Sequence, residues 1–127
     1  MSFSPEQLLE REQIVFQGTA ELTNVAATIA TYWQFYVPHP MTFTRLWAVY
    51  KTEGGTGPAL TITLRRGTTA LLSVLCDTDG TAVTDTTVDT GPLTTFRGET
   101  FNIAFTSANA DNDFAALNVQ VFAVPRL

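Results

Sequence analysis

A chain of 127 residues with a formal charge of −5 is one acidic domain, with no length for two ordinary cores. Its seven basic residues include a single adjacent pair, Arg65-Arg66, which excludes nucleic acid as the expected partner because phosphate binding needs clustered cations. A hydrophobic fraction of 45% with nine phenylalanines excludes a disordered chain, and one cysteine, Cys76, excludes an internal disulfide.

No apolar run approaches the ~18 residues that a membrane-spanning helix needs, so no membrane partner is expected. The opening Met-Ser-Phe-Ser-Pro-Glu lacks the basic and apolar regions of a signal peptide, so synthesis in a reducing cytoplasm is expected.

In chain order, residues 1–12 carry the only helical signals. Ser4 suits an N-cap, Pro5 the first helical position, and Gln7 closes a capping box. Phe3 and Leu8 are spaced for a hydrophobic staple, which predicts a short helix over 5–12 on an N-terminal arm. Phe3, Leu8 and Leu9 then either fold back on their own domain or dock on a neighbouring subunit.

Strand grammar follows. Residues 13–17 form a first strand candidate, and 21–30, small and polar, read as a loop. Over 31–37, Trp33, Phe35 and Val37 share one face while Tyr32, Gln34 and Tyr36 share the other, which suggests a central strand or a subunit contact. Pro38-His39-Pro40 forces an extended corner, with His39 as a solvated loop residue or a pH-sensitive contact. Runs at 41–51, 59–65 and 69–76 read as an antiparallel meander, broken by the glycines and proline of 52–58.

The Asp-Gly turn at 77–81 leads to 82–90, a marginal edge strand or a long loop rich in Thr and Asp. Turns at Gly91-Pro92 and Arg97-Gly98 precede a strand over 100–106 with Phe101, Ile103 and Phe105 inward. The last strand, 115–124, alternates Leu117, Val119 and Val121 against Asn118 and Gln120, with Phe122 and Val124 on the outward register. About eight strands with regular turn signals predict an all-β, antiparallel two-sheet sandwich of jelly-roll type over 13–127, preceded by the arm 1–12.

Chemistry is sparse. One histidine and one cysteine cannot furnish a four-ligand Cys/His zinc site, and a His39–Cys76 dyad would be an accident of folding. No nucleophile elbow, Walker loop or dinucleotide fingerprint is present, so neither catalysis nor a cofactor is expected. Asp77-x-Asp79-Gly80 and Asp111-Asn112-Asp113 could supply oxygens to calcium, but such acids are common in turns for local reasons and no EF-hand glutamate follows.

The segments Val37-Pro38-His39-Pro40-Met41-Thr42-Phe43-Thr44-Arg45-Leu46 and Leu60-Thr61-Ile62-Thr63-Leu64-Arg65-Arg66-Gly67-Thr68-Thr69 resemble a family of small phage virion proteins with a jelly-roll domain. Phe101-Asn102-Ile103-Ala104-Phe105 and Leu117-Asn118-Val119-Gln120-Val121 belong to the same pattern, so the likeness runs from Phe35 to Phe122. It implies a virion location and a structural role, in capsid decoration or at a tail tip, with homotrimers common. With no fibrous shaft in the sequence, a capsid decoration protein binding the major capsid protein or another virion protein is the leading expectation. A receptor-binding module for a host glycan is the alternative. Tyr32, Tyr36, Trp47, Tyr50 and Phe122 exceed what one face of each sheet needs, and Phe3, Leu8, Leu9, Tyr32, Tyr36, Tyr50 and Phe122 are the candidate interface residues.

Overall fold

Period-two alternation becomes pleat almost throughout this chain. The structure, a computed structural model, describes residues 12–22, 28–37, 39–50, 52–54, 59–76, 82–85, 92–107 and 113–126. Nine strands run in the order β1 (Gln13–Leu22), β2 (Thr28–Tyr36), β3 (Met41–Val49), β4 (Thr52–Gly54), β5 (Leu60–Arg66), β6 (Thr69–Cys76), β7 (Val83–Asp85), β8 (Thr100–Ser107) and β9 (Asp113–Pro125). The helical arm expected over 1–12 lies outside the described residues except for Glu12, as do the turn 77–81 and the loop 108–112.

Eight of the strands form two antiparallel four-strand paths, β1-β9-β3-β7 and β2-β8-β5-β6, and the three-residue β4 adds to β9 in the first sheet. Apart from the β5–β6 hairpin and the short β4, successive strands cross between the sheets, and two Greek keys wrap around one core: this is the jelly-roll order. The expected meander over 41–76 is corrected by this pairing. β5 and β6 do form a hairpin, but β3 lies in the other sheet, paired with β9 and β7. A period-two pattern reports which face of a strand is buried and carries no information about its lateral neighbour.

Inward residues of both sheets meet in a single core that includes Phe43, Leu46, Tyr50, Ile62, Leu64, Phe101, Phe105, Phe114, Leu117 and Val121, all buried. The parity of each strand agrees with the sequence except where a bulge changes it. In β9, Leu22 pairs with Phe114 and Ala20 with Leu117, so Ala115 and Ala116 together oppose Glu21. Ala116 takes a φ of 50° there, and the extra residue turns both Phe114 and Leu117 inward. In β3 the extra residue is Thr44, which leaves Thr44 and Arg45 on the same outward side.

Two strands differ from expectation in instructive ways. β1 runs on past the expected 13–17 to Leu22, because 18–20 pair with β9 at Val119, Asn118 and Leu117 and Leu22 pairs with Phe114. It thus enters the stretch 21–30 read as loop, and β2 begins within that stretch at Thr28. β2 ends its sheet and is not central; its apolar face instead closes the open flank between the sheets. There Trp33 packs on Phe16 at 5.4 Å and on Phe105 at 5.5 Å, and Phe35 stacks on Phe16 at 5.0 Å. The opposite flank is tied by polar groups: the Ser73 N–H of β6 donates to the Asp85 carboxylate of β7 at 3.0 Å. The strand that is buried on both faces is β8, where Asn102 and Ala104 are covered along with the inward Phe101, Ile103 and Phe105.

Candidate interaction surface

Strand directions gather one set of connections at one end of the sandwich. β2 leaves there at Tyr36, β3 begins there at Met41, the β5–β6 hairpin turns there at Gly67-Thr68, and β9 ends there. The segment 92–99 closes this end with backbone hydrogen bonds. Phe43 N–H donates to Leu93 O at 2.9 Å, Thr95 N–H to Met41 O at 2.8 Å, Gly98 N–H to Val37 O at 2.9 Å and Val37 N–H to Glu99 O at 3.2 Å. Buried Thr95 adds its hydroxyl oxygen as acceptor for Met41 N–H at 2.9 Å.

Arg66 holds the segment down. Its Nε donates to Glu99 Oε2 at 2.9 Å, Nη1 to Pro92 O at 3.0 Å and Nη2 to Thr94 O at 2.6 Å. Glu99 Oε1 accepts the Phe96 N–H at 2.6 Å. Burial pushes the Glu99 carboxyl up, but the Phe96 N–H and the Arg66 guanidinium outweigh it and hold the group below its ordinary value. The planar fork of an arginine is what allows one side chain to serve a carboxylate and two carbonyls at once. The adjacent Arg65-Arg66 pair was thus legible as basic, but its second member works as a clamp.

Around this clamp the surface is aromatic and cationic. Phe96 is 63% exposed with the Arg126 guanidinium 5.2 Å from its ring centroid, and Tyr36 is 68% exposed. Arg97, Gly98, Thr68 and His39 are exposed beside them. A second ion pair sits nearby at the start of β1. Arg45 Nη2 lies 2.9 Å from Glu12 Oε1, Thr44 Oγ1 donates to Glu12 Oε2, and the Arg45 guanidinium lies 3.9 Å over the Phe122 ring. The bulge at Thr44 is the reason one carboxylate can collect two successive side chains of β3.

The expected interface residues fall into different environments. Tyr36 is exposed, and Tyr32 is 38% exposed, leaning on Trp33 and Phe105. Phe122 is half-buried beneath Arg45. Tyr50 is a correction: it is fully buried, edge-on to Phe114 at 5.3 Å, because it lies just past the end of β3 and turns under β9 into the core. Phe3, Leu8 and Leu9 lie outside the described residues. Sequence reasoning missed Phe96, Ile14 and Leu75, each at least half exposed. The signal for Phe96 was its place beside the Arg97-Gly98 turn, where no strand register was available to bury it.

His39 and buried Cys76 fall at opposite ends of the sandwich, since Cys76 closes β6 at the level of Leu60 and Ser107. Among the described residues no three His, Cys, Asp or Glu side chains converge as a metal site. Both acidic loops weighed for calcium lie outside the described residues, apart from the backbone of Asp113 in β9. No described helix is long and apolar enough to cross a membrane.

No family model matches this chain, and no curated protein does. Among solved structures, a chain in the structure of the infectious bursal disease virus Gx strain is similar at 13% identity and a TM-score of 0.38. The match covers 87% of this chain and 31% of that one, so this chain spans about a third of the viral chain's length. What stands established is the class: an antiparallel β-sandwich with jelly-roll strand order.

Proposed function

We propose that this protein is a structural virion accessory protein, a jelly-roll unit that adheres to a capsid lattice as a homotrimer and stabilises it by added contacts, without a catalytic step. The observation that carries this reading is the end of the sandwich at Tyr36 and Phe96. Two large aromatics stand exposed there on a rigid, hydrogen-bonded frame, the composition of a protein-binding surface and not of a reaction centre. The sequence resemblance to small phage virion proteins over 35–122 supports the same reading, and residues 1–11 are the proposed second contact, through Phe3, Leu8 and Leu9.

The test is co-sedimentation with capsids produced without this protein, alongside their resistance to heat. Binding with increased resistance is expected, and removal of residues 1–11 is expected to abolish binding while the far-ultraviolet spectrum stays β-rich. Capsids that leave the protein in the supernatant would overturn the reading.

A second reading draws on the outward face of β2, where Tyr32, Gln34 and Tyr36 follow one another on the exposed side. Ring, amide and ring in that order suit stacking on a sugar with hydrogen bonds to its hydroxyls, as a host-glycan receptor-binding module would need. A glycan array with hits that disappear in Tyr36→Ala would favour it over capsid docking.

A further inference from the structure

Arg65 and Arg66 are neighbours in β5 and fall on opposite sides of their sheet. Arg66 ends in the clamp at Glu99, whereas Arg65 shares the outer face with Thr63. The lateral partner of Arg65 in β8 is Asn102, and the partner of Asn102 in β2 is Gln34. Guanidinium, amide and amide therefore form one row across three strands, about 10 Å or two strand spacings long. Asn102 is 8% exposed, and Ala104 and Thr63 beside it on this face are buried as well. The row thus has a recessed floor, with exposed Tyr36 at its rim on β2.

Two polar atoms in this row are buried and have no hydrogen-bond partner among the described residues: Arg65 Nε and Asn102 Oδ1. Arg65 also makes no ion pair with a described residue. The amide cannot be turned over, because Asn102 Nδ2 donates to Gly67 O at 3.3 Å and exchanging its ends would set oxygen against oxygen. Native folds leave few such groups unmatched, since each has lost its water without gaining a partner. Every described strand belongs to one of the two sheets, so no third layer of strand covers the row.

We propose that Arg65 Nε and Asn102 Oδ1 together seat one hydroxyl of a neutral sugar whose ring lies against Tyr36. The proposal rests on the glycan reading of the β2 face and extends that site onto β8 and β5. A hydroxyl accepts from Nε–H and donates to Oδ1 at once, which is the complement this pair requires. An ionised carboxylate or phosphate can only accept and would set its charge against Oδ1; an ammonium can only donate and would face Arg65. Exposed Gln34 supplies a further amide for a neighbouring hydroxyl, and the Tyr36 ring, 68% exposed, offers an apolar face to the sugar. A rotamer change at Gln34 or Arg65 opens the row to a ligand. Water can make the same two bonds, and the experiment separates the two sources of hydroxyl.

The experiment titrates the full chain with neutral methyl glycosides of glucose, mannose, galactose and N-acetylglucosamine, followed by NMR. Inorganic phosphate and a sialic acid glycoside are the anionic controls. At least one neutral glycoside is expected to bind, and more tightly than either anion. Removing one particular hydroxyl from it is expected to weaken binding at least tenfold in wild type and to change nothing in Arg65→Met or Asn102→Leu. Each of these variants should bind the parent glycoside as weakly as wild type binds the deoxy form.

Tyr36→Ala is expected to weaken parent and deoxy glycosides alike, which tests the stacking reading by itself. Binding that is lost in Tyr36→Ala but unchanged in Arg65→Met, with every deoxy form held at full affinity, would leave the glycan reading standing and overturn the hydroxyl seat. The pair would then hold a water alone. No binding of any neutral glycoside would end both, and tighter binding of phosphate or the sialoside would overturn the choice of a hydroxyl. Arg65→Met removes a buried donor that has no partner, so its denaturation midpoint is expected at or above that of wild type. A lower midpoint would show that the guanidinium serves the fold and not a ligand.

Discussion

Trp33 fills the space that a side chain on Gly18 would need: a Cβ at Gly18 would lie 2.8 Å from Trp33 Cζ2 and 2.9 Å from its Cε2 and Cη2. The glycine is in β1 and the indole in β2, so one close approach joins the edges of the two sheets. A glycine in mid-strand usually weakens the strand; here it makes room for the largest side chain on the flank.

Gly18→Ala is therefore expected to destabilise the fold by about 1–3 kcal/mol, the usual cost of overpacking. The same substitution in a Trp33→Leu background should be neutral or stabilising by about 0.5–1 kcal/mol, because alanine is the better strand residue once the clash is gone. Denaturant midpoints of the four proteins in the cycle decide it, and equal costs in both backgrounds would show that the indole is not the obstacle.

Ala116 holds a φ of 50° at the bulge opposite Glu21. That conformation costs an L-residue about 1–2 kcal/mol, and glycine loses about 0.5–1 kcal/mol of that advantage to chain entropy. Ala116→Gly should raise stability by up to about 1 kcal/mol, read as a higher thermal midpoint, whereas Ala116→Val should lower it.

Tyr50 and Tyr36 look alike in sequence and differ entirely in burial. Tyr50→Ala is expected to cost about 3–5 kcal/mol, as for other large core truncations. Tyr36→Ala, 68% exposed, should stay within about 0.5 kcal/mol of wild type. Comparable losses in chemical denaturation would place Tyr36 in a packed environment and remove it from the interaction surface.

Glu99 gives the end of the sandwich an acid limit. Its folded value lies below the ordinary value of a glutamate, so its contribution is fully present above the unfolded value and is lost as pH falls through the folded one. Stability should drop below about pH 4.5 through this group, and Glu99→Gln should flatten that part of the profile. At neutral pH the same variant should cost about 1.5–3 kcal/mol, the value of a hydrogen bond to a charged partner. A pH profile identical to wild type would show that Arg66 does not act through Glu99.

Much of this molecule was written in its alternation. Phe101, Ile103 and Phe105 in β8, and Leu117, Val119 and Val121 in β9, point inward as the spacing required, and turn residues marked the breaks between them. Side-chain parity along a strand is local, set by the pleat and by water on one side. Pairing is not. That β3 lies beside β9 instead of β5, that Tyr50 turns inward, and that β2 ends its sheet while β8 is covered on both faces follow from contacts between residues far apart in the chain.

The interaction surface divides the same way. Tyr36 was legible because it sat on the polar face of a recognisable strand. Phe96 and the Arg66–Glu99 clamp were not, because they lie where the chain has no period to read and their partners are fixed by long-range packing. From its residues alone this chain was bound to be an acidic, cysteine-poor β protein with an alternating apolar core. Which aromatics face water, and which arginines collect at one end, were decided only when two sheets closed on each other, because burial is a property of the assembled layers and not of any one strand.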